Sequence, residues 1–290
     1  MKREMSYEKK IVQHFVRWIE DHIEEDKTID DLVNYTGYSR RAVQLMFKKE
    51  YGVPVGTYMR QRKMCRAATL LRLTKLSVIE IAHRVHFSGT QNFGRAFKHA
   101  FNMTPTEYRN LPSWDLSLLV PAINIDNCWN VDSCIVERSG IYVSGDECFY
   151  QQKILRTPTL ESKRNRLKKI RHYSELYKTN IVIASNFLPP KNRYSAIRDV
   201  IDITMLSGVE VEKNTAKNDT FYVEGGRYIK FVFNGKWSDY SKFSHYIYMN
   251  ILPKTKLHRR SGADIELFHY TTNFYDDDPK FICDYFIPVD

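Results

Sequence analysis

The sequence lacks the signals that mark secreted, membrane-spanning or metal-binding proteins. No run approaches the roughly 18 apolar residues of a membrane-spanning helix, and the N-terminal segment lacks the apolar stretch of a secretory signal. The five cysteines are scattered, and no two of them form a C-x-x-C pair. We therefore expect a cytoplasmic chain with neither a disulfide framework nor a metal or cofactor site.

Catalytic motifs are missing as well. The sequence contains no nucleophile elbow, HExxH pair, P-loop or paired catalytic motif. A hydrolase that uses Glu266 or Asp284 is therefore the weaker alternative for the C-terminal half. We expect no catalytic residues and no enzyme activity.

Positive charge is in excess, and it is unevenly distributed. The formal net charge is +10. Residues 40–109 hold 14 Lys and Arg against 3 Asp and Glu, whereas residues 113–290 hold 24 against 22. A segment this basic attracts phosphate groups and releases their counterions, which favours a nucleic-acid partner near the N-terminus.

The 290 residues are enough for two domains. Residues 6–112 show apolar residues at helical spacing and predict an all-α domain. Residues 113–130 predict a linker, and residues 131–290 alternate β-branched and aromatic residues, which predicts an α+β domain with duplicated β-α-β-β units. The strands predicted there are Cys134–Val143, Ile181–Phe187, Asp199–Leu206, Tyr228–Phe233, Ile265–Tyr270 and Phe281–Val289, and the helices are Leu160–Tyr177 and Tyr240–Leu252.

A repeated pattern lies within the helical half. Residues 31–39 match residues 80–88, and residues 46–49 match residues 96–99 after one inserted residue. Each copy runs from an acidic residue through apolar and turn residues to a serine that we predict as an N-cap, Ser39 and Ser88. A second helix with polar and basic residues follows, as is typical of a helix-turn-helix. The pattern predicts two such units, separated by a helix over 57–73.

Particular residues carry a resemblance to a known family. In the second unit they are Ile81, Ala82, Phe87, Phe93, Arg95, Phe97, Lys98, Phe101, Thr104, Pro105, Tyr108 and Arg109, and in the first they are Gly37, Tyr38, Ser39, Gln44 and residues 46–50. Over residues 7–112 the chain resembles the AraC/XylS family of transcription regulators, and most closely its MarA, SoxS and Rob subgroup. The C-terminal position of the second domain resembles the Rob-like type.

The resemblance implies DNA contacts for residues of the two second helices and of the helix that separates the units. Base contacts are implied for Arg40, Arg41, Gln44, Leu45, Thr90, Gln91, Asn92 and Arg95, and phosphate contacts for Lys48, Lys49, Arg60, Arg62 and Lys98. It also implies that the chain binds promoter DNA as a monomer, contacts RNA polymerase and activates stress, efflux or resistance genes. Two residues depart from the family's glycines, His86 and Asn102, and both types tolerate positive φ. Arg41 and Leu45 replace the subgroup's usual Trp and Arg, so base preference is expected to differ.

The C-terminal half resembles, more loosely, the GyrI-like effector-binding domain. Residues 265–268 and 281–289 carry most of this resemblance, and residues 235–237 are compatible with it. It implies an amphipathic small-molecule effector and a pocket that draws on Glu266, Asp284, Trp237, Tyr228 and Phe268. A cationic or hydroxyl-bearing ligand would offset the cost of burying Glu266. The pattern is equally consistent with a Glu266 that is solvated on its strand or that pairs with a nearby Arg. The basic run 163–169 predicts a solvated helix face, and docking of a protein is the remaining alternative.

Overall fold

A computed structural model describes residues 7–23, 25–74, 76–123, 131–153, 160–188, 200–213 and 219–290. The chain divides into two compact units. The first comprises residues 1–72, 76–111 and 118–128, and the second comprises residues 73–75, 112–117 and 129–290. No described helix is both long and apolar enough to cross a membrane.

The described part of the first unit is helical. Its helices are α1 (Tyr7–Asp21), α2 (Ile29–Thr36), α3 (Arg40–Tyr51), α4 (Val55–Leu73), α5 (Val78–Arg84), α6 (Thr90–Phe101) and α7 (Pro105–Arg109). The helical spacing of apolar residues predicted this arrangement because each helix buries one stripe. Val43 and Phe47 of α3, for example, pack with residues of α1 in one cluster.

Local capping chemistry sets the ends of these helices. The predicted Ser39 cap of α3 is confirmed, and Ser77 forms a capping box with Glu80 at the start of α5. The predicted Ser88 cap is wrong, because Gly89 stands at the N-cap of α6 without a side-chain hydrogen bond. Further capping boxes occur at α2, where Thr28 pairs with Asp31, and at α7, where Thr104 pairs with Glu107.

Two tight turns use residues other than glycine. His86 has φ 62° and Asn102 has φ 57°, so both adopt the left-handed conformation that the sequence allowed for. Asn102 ends α6 as Gly52 ends α3, each donating its backbone N–H to a carbonyl four residues back.

The second unit is built on an eight-stranded sheet with order β2-β7-β10-β9-β4-β5-β3-β6. Each pairing in it is antiparallel. The strands are β2 (Ser133–Arg138), β3 (Ile141–Lys153), β4 (Ile181–Leu188), β5 (Val200–Val211), β6 (Thr220–Val223), β7 (Gly226–Lys236), β9 (Asp264–Phe268) and β10 (Lys280–Pro288). The single strand predicted over 134–143 is wrong, because a break at Ser139 and Gly140 divides it into β2 and β3.

Helices accompany the sheet. They are α8 (Leu160–Tyr177), α9 (Trp237–Tyr246) and α10 (Leu252–Thr255). The continuous helix predicted over 240–252 is interrupted by a π-helical segment at Ile247–Ile251, an irregularity that is often found near functional sites. Both α8 and α9 lie on the same face of the sheet, because Arg166 of α8 and Tyr240 of α9 contact the same residue, Glu266 of β9.

The region predicted as a linker contains ordered, buried residues. Trp114 and Asp115 form β1 and pair with β8 (His258–Arg259) in a two-stranded sheet of the second unit. Leu116 is buried just beyond it. Within the first unit, the carbonyl oxygen of Val120 accepts a hydrogen bond from Arg62 of α4 at 2.8 Å.

Candidate nucleic-acid interface and effector pocket

Helix α3 presents a polar face beside its buried stripe. Val43 and Phe47 are fully buried. The predicted base-contacting residues of this helix are all exposed: Arg40, Arg41, Gln44 and Leu45. Arg40 is held by Asp30 of α2 at 2.9 Å, whereas Leu45 is an apolar side chain that is 58% exposed on a face otherwise polar. Such a face offers hydrogen-bonding and apolar groups to the edges of bases.

Helix α6 repeats this arrangement. Phe93, Phe97 and Phe101 form its buried stripe, and the predicted base-contacting residues are all exposed: Thr90, Gln91, Asn92 and Arg95. The Oδ1 atom of Asn92 accepts a hydrogen bond from the Arg95 guanidinium at 2.8 Å. This contact links two exposed residues one turn apart on the same face of α6.

The predicted phosphate-contacting residues do not all behave alike. Lys48, Lys49, Arg60 and Lys98 are exposed. Arg62 is not, because its side chain is 10% exposed and binds both carboxylate oxygens of Glu20 at 2.9 Å. Burial alone would lower the pKa of Arg62, but Glu20 raises it above the ordinary value, so the guanidinium stays charged. The phosphate role predicted for Arg62 is therefore wrong, and this residue stabilises the fold.

The predicted effector pocket contains a buried carboxylate. Glu266 is 4% exposed at the middle of the sheet. It accepts a hydrogen bond from the Tyr240 hydroxyl and forms an ion pair with Arg166. Burial and the neighbouring Cys283 raise the pKa of Tyr240 well above its ordinary value, so its hydroxyl keeps the proton that it donates. The sequence left open whether Glu266 is solvated or pairs with an Arg. The structure contradicts the first alternative and shows the second.

The other four predicted pocket residues fall on two faces of the sheet. Phe268 contacts the rings of Trp237 and Tyr240, on the same side as Glu266. Asp284 points the other way, because its neighbour Cys283 faces Tyr240 and successive strand residues alternate. It binds Lys230 at 2.8 Å and lies 3.3 Å from His269.

Tyr228 packs with Phe286 within a separate apolar cluster. The structure therefore places Glu266, Phe268 and Trp237 near one another and corrects the inclusion of Asp284 and Tyr228.

A second buried carboxylate was missed by sequence reasoning. Asp264, two residues before Glu266, is 1% exposed and accepts from Tyr248, Tyr285 and Arg259 at 2.6, 2.7 and 2.9 Å. Burial alone would lower the pKa of Arg259, but Tyr248 and Asp264 raise it above the ordinary value. The alternation of acidic with apolar residues in Asp264–Phe268 was the available signal, since it puts both carboxylates on one face.

Arg166 was also missed, because the basic run around it predicted a solvated face. Its side chain is 22% exposed and reaches Glu266. Arg166 precedes the buried Ile170 and Tyr173 by four and seven residues, so it lies on the inward stripe of α8. That spacing could have identified it.

Comparison with known proteins agrees with this division of the chain. Residues 32–111 match a helix-turn-helix domain family, and residues 154–290 match the GyrI-like small molecule binding domain family. The F1 operon positive regulatory protein of Yersinia pestis is 33% identical over 280 residues, which cover 96% of this chain and 87% of that protein. The transcriptional regulator Rob of Salmonella typhimurium is 25% identical over 96% of this chain and 98% of its own.

Among solved structures, the C-terminal domain of AraT, a response regulator from Geobacillus stearothermophilus, is 30% identical with a TM-score of 0.34. The match covers 36% of this chain and 87% of that domain.

These features define a transcriptional regulator in which a helix-turn-helix DNA-binding domain precedes a small-molecule binding domain. The full-length similarity to the Yersinia protein and to Rob extends through both domains. The chain belongs to the AraC/XylS family, in its Rob-like group.

Proposed function

We propose that the chain binds promoter DNA as a monomer through two helix-turn-helix units, α2–α3 and α5–α6. The observation that carries this proposal is the repetition of the second helix. The N-caps Ser39 and Gly89 and the left-handed C-caps Gly52 and Asn102 are each 50 positions apart. At equivalent positions, Val43 and Phe47 are buried as Phe93 and Phe97 are. Three exposed residues of α3 likewise match three exposed residues of α6, namely Arg40, Arg41 and Leu45 with Thr90, Gln91 and Arg95. Such a match is expected if both helices contact DNA.

The two readers carry different side chains and should prefer different bases. Leu45 in α3 stands at the position that Arg95 occupies in α6. An apolar side chain suits the methyl group of thymine, and an arginine suits guanine O6 and N7. A monomer with two unlike reading helices would bind an asymmetric site.

Helix α4 suits the role of spacer between the readers. Its 19 residues span about 28 Å at 1.5 Å per residue. Successive major-groove faces lie about 34 Å apart, and the widths of the flanking helices supply the difference. One chain can then contact both faces without a symmetric partner.

Activation of transcription is the regulatory outcome that we infer. The Yersinia relative is named as a positive regulator. On the same ground we infer contact with RNA polymerase, action at cytoplasmic nucleoid DNA and, from the family resemblance, target genes of stress, efflux or resistance. These inferences rest on relatives, whereas the DNA-reading role rests on α3 and α6.

The second domain is proposed to sense a small molecule and to perform no catalysis. The two carboxylates that a hydrolase could use, Glu266 and Asp284, lie on opposite faces and are each paired with cations. We infer duplicated β-α-β-β units, because β3-β5-β4 and β7-β10-β9 occupy mirrored positions about the centre of the sheet. The buried charges between α8, α9 and the sheet favour binding of an effector there over docking of a protein.

A gel-shift titration on DNA selected from a random pool tests the reading helices. Arg41→Ala and Arg95→Ala should each weaken specific binding by about 1–3 kcal/mol if the arginine binds guanine in bidentate fashion. Lys254→Ala, which removes an exposed charge from the second unit, is the matched control. Unchanged affinity of both arginine variants would remove the support for the proposal.

A further inference from the structure

Arg166 occupies the position that a cationic ligand would need at Glu266. The ion pair joins α8 to the centre of the sheet, and both side chains are largely buried. A free cation could reach Glu266 only by separating this pair, which would leave Arg166 charged and without its carboxylate. Separating a buried ion pair is strongly unfavourable, so the chain itself opposes binding of cations.

The Arg166–Glu266 pair is less complete than its neighbour. Arg259 donates to Asp264, Tyr248 and backbone carbonyls, which occupy both ends of its guanidinium. The Nε atom of Arg166 is buried and donates to no acceptor among the described residues. Arg166 therefore has capacity for a second anion, since a guanidinium can pair with more than one oxygen acceptor at once.

A cavity lies directly beside Arg166. It has a volume of 720 Å³ between α8, β3 and β5, within the range of about 300–1,000 Å³ that small-molecule sites occupy. The side chains of Tyr150 and Met205 supply aromatic and apolar walls. Arg166 belongs to both features, because it lines this cavity together with Tyr150 and also forms the ion pair with Glu266.

The charges that line the cavity have one sign. Arg166, Lys168 and Lys169 contribute positive charge to its lining, and none of its described lining residues is acidic. Lys169 is paired with Asp146 outside the lining, so Arg166 and the exposed Lys168 remain to receive an anion. An apolar wall next to cations is complementary to a molecule with an apolar body and one negative group.

We propose that this cavity binds an amphipathic organic anion whose acidic group pairs with Arg166, and that the Arg166–Glu266 pair excludes cations. The proposal deepens the effector-sensing role proposed above and rests on it. Glu266 and the ligand's anionic group share one guanidinium, so removing the charge of Glu266 should strengthen anion binding.

Equilibrium dialysis of the full chain with two probes of equal body and opposite charge tests this. The probes are 1-pyrenebutyrate and 1-pyrenemethylammonium, both read by pyrene absorbance. The wild-type chain should bind the anion at least tenfold more tightly than the cation. Arg166→Gln should lose at least tenfold in anion affinity and gain affinity for the cation, whereas Arg164→Gln, an exposed charge on the same helix, should change neither.

Glu266→Gln keeps the test independent of the stability of the Arg166 variant. It leaves Arg166 in place and should bind the anion more tightly than the wild-type chain. Equal anion binding by the Arg166 and Arg164 variants, or weaker binding by Glu266→Gln, would overturn the proposal. Binding of the cation alone would support a small-molecule site but contradict the proposal that its ligand is an anion. Binding of neither probe would contradict both the small-molecule site and the proposed ligand class.

Discussion

Arg60 and Arg62 lie on the same helix and carry the same charge, yet the structure predicts opposite consequences of replacing them. Arg62 donates to Glu20 twice at 2.9 Å and to the carbonyl of Val120 at 2.8 Å. Arg60 is exposed. Arg62→Ala should therefore destabilise the first unit, and Arg60→Ala should weaken binding to DNA.

The magnitude follows from the burial of the pair. Removing one partner of a buried ion pair costs about 3–5 kcal/mol. Glu20 is 24% exposed, and water can partly replace Arg62, so we expect the lower end, about 3 kcal/mol. Tyr58, which donates to Glu20 at 2.5 Å, limits the loss further. With a urea dependence of about 1–3 kcal/mol per molar, the unfolding midpoint should fall by about 1–3 M.

Two assays separate the two arginines. Hydrogen exchange across a urea series, read on peptides of α1 and α4, reports unfolding of the first unit apart from the second. The salt dependence of DNA affinity reports phosphate contacts, each of which contributes about 0.9 to the slope of log affinity against log salt. Arg60→Ala should lower that slope by about 0.9 and leave the urea midpoint unchanged. A lowered slope for Arg62→Ala with an unchanged midpoint would refute this reasoning.

Three further outcomes follow from single contacts. Replacing thymine by deoxyuridine at one position of the site should weaken the wild-type chain severalfold but not Leu45→Ala, because only Leu45 would meet the missing methyl group; equal losses in a gel-shift titration would count against this contact. The hydroxyl and backbone N–H of Thr28 donate to Asp31 and lower its pKa. The stability that this contact gives to α2 is therefore present above the ordinary pKa of 3.8 and is lost as pH falls through the lowered pKa. A Thr28→Ala chain whose circular dichroism shows the same acid sensitivity as wild type would contradict this expectation. Burial raises the pKa of Cys283 to about 12, so a thiol reagent at pH 8 should modify the exposed Cys134 and leave Cys283 unmodified until urea unfolds the chain, as peptide mapping can check.

Local patterns allowed much of the helical half to be predicted. Serine caps, the αL residues at Gly37, His86 and Asn102, and the apolar stripes of α3 and α6 are determined by neighbours within one or two turns. The N-cap of α6 was wrongly predicted at Ser88, because Ser88 and Gly89 are adjacent and either residue type can stand at an N-cap.

Long-range pairing explains what the sequence could not predict. Arg62 is buried because Glu20, 42 positions away, lies opposite it, and no local pattern distinguishes it from the exposed Arg60. The same holds for the effector pocket. Whether Asp284 and Glu266 share a face depends on the register between β9 and β10, which pairs Asp284 with Leu267 and so turns the two carboxylates apart.

In vitro selection of bound DNA from a random pool tests the central claim most directly. The account predicts one chain per duplex and two unlike half-sites whose centres are about 10–10.5 base pairs apart, because α3 and α6 offer different side chains to successive major-groove faces. A symmetric palindrome occupied by two chains, or a single short half-site, would contradict it.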